Sequence, residues 1–189
     1  MKRSATGTLV LAALGTAFVL WISGRPVPPV EAQTGEVVTG ALPGGGSIAA
    51  RAVGHQLRED DMPSLTAASD GSLWIAWNSF DGERDDIAIR RYAEGKWGSL
   101  QWVPGVSGDS WMPQAAAGPD GSVWVVWTQQ VGNNWDVYAR RFDPQAQSWS
   151  ALQRLSSDSM PDINPAVWSD GKGRAAVVWQ GWRGKTSSI

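Results

Sequence analysis

The chain has 189 residues, enough for one domain, and a formal net charge of −2. A charge this small creates no large field, which argues against nucleic acid or an anionic membrane surface as a partner. The 13 Trp residues suit tightly packed β-structure and also carbohydrate stacking. The complete absence of Cys excludes disulfides, thiolate metal sites and a lipid-attachment cysteine.

The N-terminus has the pattern of an export signal. Two basic residues, Lys2 and Arg3, precede a long apolar run, and Ala32 closes a small-residue cleavage pattern of the A-x-A type. We therefore predict that residues 1–32 are a signal peptide of a secreted or periplasmic bacterial protein, with no membrane span after cleavage. The alternative is a retained N-terminal membrane anchor, because residues 4–24 carry no charge and are long enough to span a bilayer.

After this segment the chain becomes repetitive. Residues 33–45 are rich in Gly and Pro and are predicted to form a linker. Residues 46–189 contain a tandem repeat of about fifty residues, in which 62–92 aligns without a gap with 112–142. The predicted units are a lone outer strand at 46–53, a blade at 62–103, a blade at 112–155 and a partial blade at 164–189.

Each full unit is predicted to contain four short antiparallel strands. Strand one follows a Pro and ends at an Asp-Gly turn, where Gly can adopt a positive φ. Strand two is an unbroken apolar run, such as LWIAW at 73–77, which indicates that both of its faces are buried. The predicted fold class is all-β, with four-stranded β-propeller blades. Because closed propellers have about four to eight blades, we expect an incomplete propeller, either a fragment or a chain that closes its ring as an oligomer.

Two stretches carry a resemblance to a known family. The motif NPAVWSDGK at 164–172 and the stretch WDVYARR at 135–141 resemble the repeats of TolB-like, WD-type bacterial exported propellers. The resemblance covers the chain from residue 46 onward and implies the propeller fold, although the period is longer here and Trp is more frequent. A weaker resemblance is to sialidase-like propellers with Asp-box turns. The sequence departs from the Asp-box pattern because its Asp and Gly are adjacent and lie between strands one and two.

Side chains that recur in the same position of each unit are interpreted as scaffold. The recurring Asp residues are predicted to form turns, and the two Asp residues that begin strand three are predicted to bond backbone N–H groups. The Arg pairs at 90–91 and 140–141 are predicted to bond between blades. The predicted core tryptophans are Trp74, Trp77, Trp124, Trp127 and Trp179; the turn residues are Asp70, Asp120 and Asp170; the strand-three residues are Asp86 and Asp136.

Side chains that do not recur gather at one end of the blades, where the turns between strands two and three and the blade connections emerge. Exposed aromatic rings beside Asp and Asn suit stacking on a sugar with hydrogen bonds to its hydroxyls. We expect this end to bind a polysaccharide or an envelope protein, or, alternatively, its aromatics simply cap the blade edges. The candidate ligand-binding residues are Phe80, Trp111, Trp135, Trp182, Asp109, Asn133 and Asn134, and other acids at this end are Glu59, Asp60, Asp61 and Asp158.

The sequence shows no catalytic constellation. His55 is the sole histidine, and the chain has neither an H-E-x-x-H nor a G-x-S-x-G motif. Tyr92 corresponds to Phe142, so its hydroxyl is dispensable in that position. We therefore predict no catalytic residue, no metal ligand and no cofactor, and we expect a non-catalytic binding module. The alternatives are a fragment of a propeller glycoside hydrolase whose catalytic groups lie in further blades, and a purely structural repeat.

Overall fold

The computed structural model describes residues 18–23, 37–41, 47–54, 57–170 and 172–189. Within these ranges all regular elements are strands, and every paired strand is antiparallel to its neighbour. The strands are β1 (Phe18–Ser23), β2 (Val37–Ala41), β3 (Ser47–Ala52), β4 (Glu59–Ala67), β5 (Leu73–Phe80), β6 (Asp85–Ala93), β7 (Lys96–Trp97), β8 (Gln101–Trp102), β9 (Ser110–Ala117), β10 (Val123–Val131), β11 (Asn134–Asp143), β12 (Ser148–Trp149), β13 (Gln153–Arg154), β14 (Asp162–Ser169), β15 (Ala175–Arg183) and β16 (Thr186–Ser188).

The repeat forms three separate antiparallel sheets. Blade 1 has the order β4-β5-β6-β7, blade 2 has the order β12-β11-β10-β9, and blade 3 contains β14-β15-β16. The fourth strand is interrupted in blades 1 and 2, since β8 also pairs with β6 and β13 also pairs with β11. The predicted fold class, all-β with propeller-like blades of four antiparallel strands, is confirmed.

A further three-stranded sheet has the order β1-β3-β2. Its middle strand corresponds to the lone outer strand predicted at 46–53, but it pairs with β1 and β2 rather than with a blade. Strand β1 lies within the predicted signal peptide and β2 within the predicted linker. The rest of both segments lies outside the described residues, so signal cleavage and the alternative anchor remain predictions. Among the residues that the structure describes, no helix is long and apolar enough to cross a membrane.

Strand β5 shows why the second strand of a unit is apolar throughout. Trp74 and Ala76 project from one face into a core shared with blade 2, where they meet Trp127. Ile75 and Trp77 project from the opposite face and pack with residues including Val53. The predicted burial of both faces is confirmed for this strand, because side chains alternate between the two faces of a sheet and both faces are covered.

The first strand of every unit contains a bulge at a residue that precedes proline. Met62, Met112 and Asn164 have φ values of 47°, 56° and 54°, and the strand register shifts at each of these positions. Proline has no N–H to donate to the ladder, so bulges are among the few places in a sheet that accept it. The expectation that strand one begins after the Pro is therefore wrong. It begins before the bulge, at Glu59 in blade 1, so that two or three residues of the first strand precede the bulge in each blade.

Hydrogen bonds join the first strands of neighbouring blades. The hydroxyl of Ser64 in β4 accepts from Ala115 N in β9 at 3.0 Å. Asn78 fixes the bulge of the next blade, since its Nδ2 donates to Ser110 O at 2.7 Å and its Oδ1 accepts from Met112 N at 3.1 Å. Thr128 is the corresponding residue in blade 2, where its hydroxyl is buried without a hydrogen-bond partner.

The recurring Asp and Arg residues stabilise individual blades. Asp70 accepts a hydrogen bond from Ser72 N at 2.9 Å, which confirms its role in the turn, and hydrogen bonds from Ser72 lower the pKa of its carboxyl. Arg91 then pairs with Asp70 at 2.6 Å, and Arg141 pairs with Asp120 in blade 2. The prediction of bonds between blades is therefore wrong for Arg91 and Arg141, because each one reaches across its own sheet to the turn between strands one and two. Arg90 differs, since its Nη1 donates to Val53 O at 2.9 Å, outside blade 1.

Candidate functional site

The residues predicted to bind a ligand lie at the end of the blades opposite the Asp-Gly turns, which we call the site end. The strand pairing explains this placement. In blade 1, Phe80 at the end of β5 faces both Glu59 at the start of β4 and Asp85 at the start of β6. In blade 2, Gln130 likewise faces Trp135 near the start of β11. The turns between strands two and three therefore lie beside the connections that lead into each blade.

Two predicted residues form an aromatic pair at the site end. The rings of Trp111 and Trp135 have centroids 5.3 Å apart and an interplanar angle of 32°. Trp111 is 38% exposed, and Trp135 is half-buried. The two indoles thus form one partly exposed apolar surface, which we call the tryptophan pair.

Carboxylates fix the edge of the tryptophan pair. The Nε1 of Trp111 donates to Asp85 Oδ2 at 2.6 Å, and Asp109 Oδ1 accepts from Asp85 N at 3.2 Å. The main chain at Asp109 is held in turn, since its carbonyl accepts from Gln130 N at 2.8 Å. Both rings belong to blade 2, and Asp85 of blade 1 orients the ring of Trp111.

Asp85 was missed by the sequence reasoning, although a signal for it was available. It occupies the position that Trp135 takes in the next unit, so it is one of the residues that do not recur. At this position of the repeat only Trp135 was predicted to belong to the site, and Asp85 was not.

Asp61 lies in an electrostatically unfavourable position at the same end. Partial burial raises the pKa of its carboxyl, and the negative charges of Asp85, Asp60 and Glu59 raise it further. Like charges close together disfavour the ionised form of each. The pKa of the Asp61 carboxyl is therefore raised above its ordinary value.

Asp60 is buried scaffold rather than part of an exposed surface. It is 2% exposed and accepts hydrogen bonds from Trp77 Nε1 at 2.9 Å and from Ser79 Oγ at 2.6 Å. A buried carboxylate needs such partners, because an unpaired polar group is costly in the interior. Its interactions are accounted for by the fold.

The other candidate residues are more dispersed. Asn133 is exposed in the turn, and Asn134 Nδ2 donates to Asp158 O at 2.8 Å, tying β11 to the connection that leads to blade 3. Phe80 is partly buried at the end of β5. Trp182 is 37% exposed on blade 3, and within the described part of the chain no ring contact joins it to the tryptophan pair. The structure thus unites Trp111, Trp135 and Asp109 but leaves Phe80 and Trp182 apart from them.

The two Asp residues that begin strand three bind arginine side chains. Asp86 accepts from Arg58 Nη2 at 2.9 Å, and Asp136 accepts from Arg154 Nη2 at 2.6 Å. The prediction that they bond backbone N–H groups is therefore wrong. Asp136 is fully buried, and a buried charge is tolerated mainly when it is paired.

Neither a metal site nor a catalytic centre is assigned. In the described ranges, no three His, Cys, Asp or Glu side chains are grouped so that they could hold a metal ion. His55, the sole histidine, lies outside the described residues.

Comparison with known proteins finds similar folds among solved structures. No family model matches the sequence, and no curated protein matches it. The solved structure of a Hadza microbial sialidase, Hz136, matches 73% of this chain at 15% identity and a TM-score of 0.46. The match covers 40% of that structure, so this chain spans about two fifths of its length. A similarity at this level supports no conclusion about ligand or activity.

Proposed function

We propose that this protein is an exported, non-catalytic binding module that binds carbohydrate through the tryptophan pair. The observation that carries the proposal is the partly exposed, tilted pair formed by Trp111 and Trp135, with Asp85 and Asp109 at its edge. Sugar rings present apolar C–H faces and polar hydroxyl edges, so they suit a site in which aromatic surface adjoins a few fixed polar groups. An envelope protein is the competing partner.

The pair is pre-organised for such a ligand. The hydrogen bond from Trp111 to Asp85 fixes one ring, and the ring contact with Trp135 limits the other. Fixing a binding surface before the ligand arrives lowers the entropy lost on association.

Export and family remain part of the proposal. The basic start, apolar run and cleavage pattern at 1–32 support a secreted or periplasmic location, with an N-terminal anchor as the alternative. The TolB-like relationship is supported by the repeat motifs alone.

A panel of neutral and acidic glycans provides the test, with binding to the full chain measured by calorimetry. Trp111→Ala and Trp135→Ala should each weaken binding by at least about tenfold, equivalent to about 1.4 kcal/mol, because a central Trp commonly supplies that much. The matched control is Trp168→Ala, which removes a side chain that is 65% exposed close to the turn at Asp170. Absence of binding to every glycan, or unchanged affinity in both variants, would contradict the proposal.

A second candidate, glycoside hydrolysis, is favoured by one observation. Partial burial and the negative charge of Asp85 raise the pKa of Asp61, and a glycosidase uses two acidic side chains of which one has a raised pKa. Incubating the chain with the same glycans and measuring new reducing ends distinguishes the two functions. Product release that disappears in Asp61→Asn would favour hydrolysis, whereas binding without product formation supports the non-catalytic module.

A further inference from the structure

A groove lies beside the tryptophan pair, on the other side of the turn between β5 and β6. It has a volume of about 700 Å³, within the range of about 300–1,000 Å³ common for small-ligand sites. Side chains from that turn line one part of it, and the connection from blade 1 to blade 2 lines another. Its polar and aromatic lining residues are Arg58, Asp81, Arg84, Asp86, Trp102, Ser107 and Ser110.

The aromatic residue of this groove contacts an arginine that is itself held by two carboxylates. The guanidinium carbon of Arg58 lies 4.5 Å from the centroid of the Trp102 ring, a cation–π arrangement. Arg58 is itself fixed, since its Nη2 lies 2.9 Å from both Asp81 Oδ2 and Asp86 Oδ2 and its side chain is 10% exposed. Trp102 nevertheless remains 38% exposed, the same fraction as Trp111. The groove therefore offers a second oriented indole.

The polar lining of the groove suits a neutral ligand rich in hydroxyl groups. The lining arginines are matched by the lining aspartates, because Arg58 pairs with Asp81 and Asp86, and Arg84 pairs with Asp86 at 3.0 Å. Guanidinium groups only donate hydrogen bonds and carboxylates only accept them, whereas a hydroxyl does both. Donors and acceptors side by side with balanced charge favour a sugar over an anion.

Strand geometry places the groove and the tryptophan pair on either side of a single turn. Asp85 and Asp86 are consecutive residues of β6, so their side chains project to opposite faces. Asp85 orients Trp111, and Asp86 anchors the arginine that covers Trp102. Arg84 is the last residue of the turn, directly before Asp85, and its side chain is 52% exposed.

We infer that the groove beside Trp102 is a second carbohydrate subsite and that the ligand is an extended polysaccharide chain crossing the β5–β6 turn. The inference rests on the proposed function of the tryptophan pair and adds the class of ligand. A chain long enough to contact both indoles gains affinity because its second contact is intramolecular. A monosaccharide has no second ring with which to make that contact.

The experiment compares oligosaccharides of increasing length, from the monosaccharide to the hexasaccharide, in a glucose series and an N-acetylglucosamine series. Binding to the full chain is measured by calorimetry. In the series that binds, affinity should rise at least about tenfold between the shortest and longest members. Trp102→Ala should remove that rise and leave the affinity for short oligomers unchanged, while Trp111→Ala should weaken binding at every length.

Two further variants keep the result interpretable. Arg84→Gln changes an exposed side chain at the turn and should reduce the length-dependent gain without unfolding the blade. Trp168→Ala should leave both affinity and its dependence on length unchanged. Circular dichroism checks that each variant is folded.

The outcomes separate the inference from the proposed function. If short and long oligomers bind equally well, or if Trp102→Ala weakens both to the same extent, the second subsite is refuted while the tryptophan pair still stands. If no oligosaccharide binds, both fall. Inorganic phosphate that binds wild-type protein but not Arg84→Gln would make the groove an anion site and would also overturn the inference.

Discussion

Two Trp→Ala substitutions should differ sharply in their effect on stability. Trp127 is fully buried, stacks on Tyr138 with a centroid distance of 6.2 Å, and donates from Nε1 to Gln129 Oε1 at 3.0 Å. Trp111 is 38% exposed and has one side-chain hydrogen bond, to Asp85. If recurring tryptophans are core and non-recurring ones are surface, Trp127→Ala must cost much more than Trp111→Ala.

The expected magnitudes follow from these contacts. Emptying a buried aromatic site costs about 3–5 kcal/mol, and Trp127 meets the condition for that range. The hydrogen bond that is lost adds little, because Gln129 Oε1 still accepts from Ser110 Oγ at 2.9 Å. Trp111→Ala removes one hydrogen bond that water can replace and partly exposed ring area, for a cost of about 1 kcal/mol. The predicted difference is therefore at least about 2 kcal/mol.

Urea unfolding followed by far-ultraviolet circular dichroism measures both values without relying on the tryptophans that are changed. The midpoint should fall strongly for Trp127→Ala and slightly for Trp111→Ala, with similar slopes for both variants and wild type. Since a domain has about 5–15 kcal/mol of total stability, the larger loss lies well within measurement. Equal destabilisation by the two substitutions would refute the separation of core from surface.

Four further substitutions test other parts of the structure. Gly108→Ala should destabilise by roughly 1–3 kcal/mol in thermal unfolding, because φ is +106° there and a Cβ would lie 2.7 Å from the Gln130 carbonyl oxygen. Asn78→Ala should cost about 1–3 kcal/mol in urea unfolding, because it leaves buried partners unpaired. Thr128→Val should cost almost nothing, because the hydroxyl that it removes has no hydrogen-bond partner. A comparable loss for both substitutions would contradict the role of Asn78 in fixing the bulge. Asp61→Asn should raise the free energy of unfolding at neutral pH. The pKa of Asp61 is raised in the folded state, so the stability that this carboxyl contributes below pH 3.8 is lost as the pH rises through the folded-state pKa. The gain from the substitution should therefore vanish in acid. A gain of equal size at both pH values would contradict that account.

The sequence predicted the blades well because the determinants of a blade are local. The apolar run of β5, the turn at Asp70 and the recurrence of both in the next unit are legible without any knowledge of partners. The start of strand one was misplaced because a bulge is set by pairing with β5, and the preceding Met62 can hold a positive φ only in that context. Propensity alone gives no reason to continue a strand through a proline.

The site was predicted less completely, for a related reason. Trp111 and Trp135 could be placed at one end from topology, but their contact depends on how two blades pack together. Phe80 and Trp182 share that end without joining the pair. The groove beside Trp102 was not foreseen, because Arg58 comes from the segment before blade 1 and reaches the ring only in three dimensions.

Blade 2 shows why failure to recur is an imperfect guide to function. In blade 1 the indole of Trp77 donates to Asp60, which belongs to strand one. In blade 2 the equivalent indole donates to Gln129, which belongs to strand two, and Ser110 now occupies the strand-one position. The hydrogen-bond acceptor therefore lies on strand one in blade 1 and on strand two in blade 2, and the buried indole N–H has a partner in both blades.

Blade 3 extends the same exchange. Its strand-one position holds Asp162, fully buried and paired with Arg183 at 3.0 Å, and its strand-two position is Gly181. A Cβ on Gly181 would lie 2.7 Å from Asp162 Oδ1 and 3.0 Å from Arg183 Nη1, so the glycine leaves room for the ion pair. Each blade thus fills these two positions with a different pair of residues. A position can vary from unit to unit because its partner varies with it, and recognising scaffold requires comparing pairs across strands rather than single positions along the repeat.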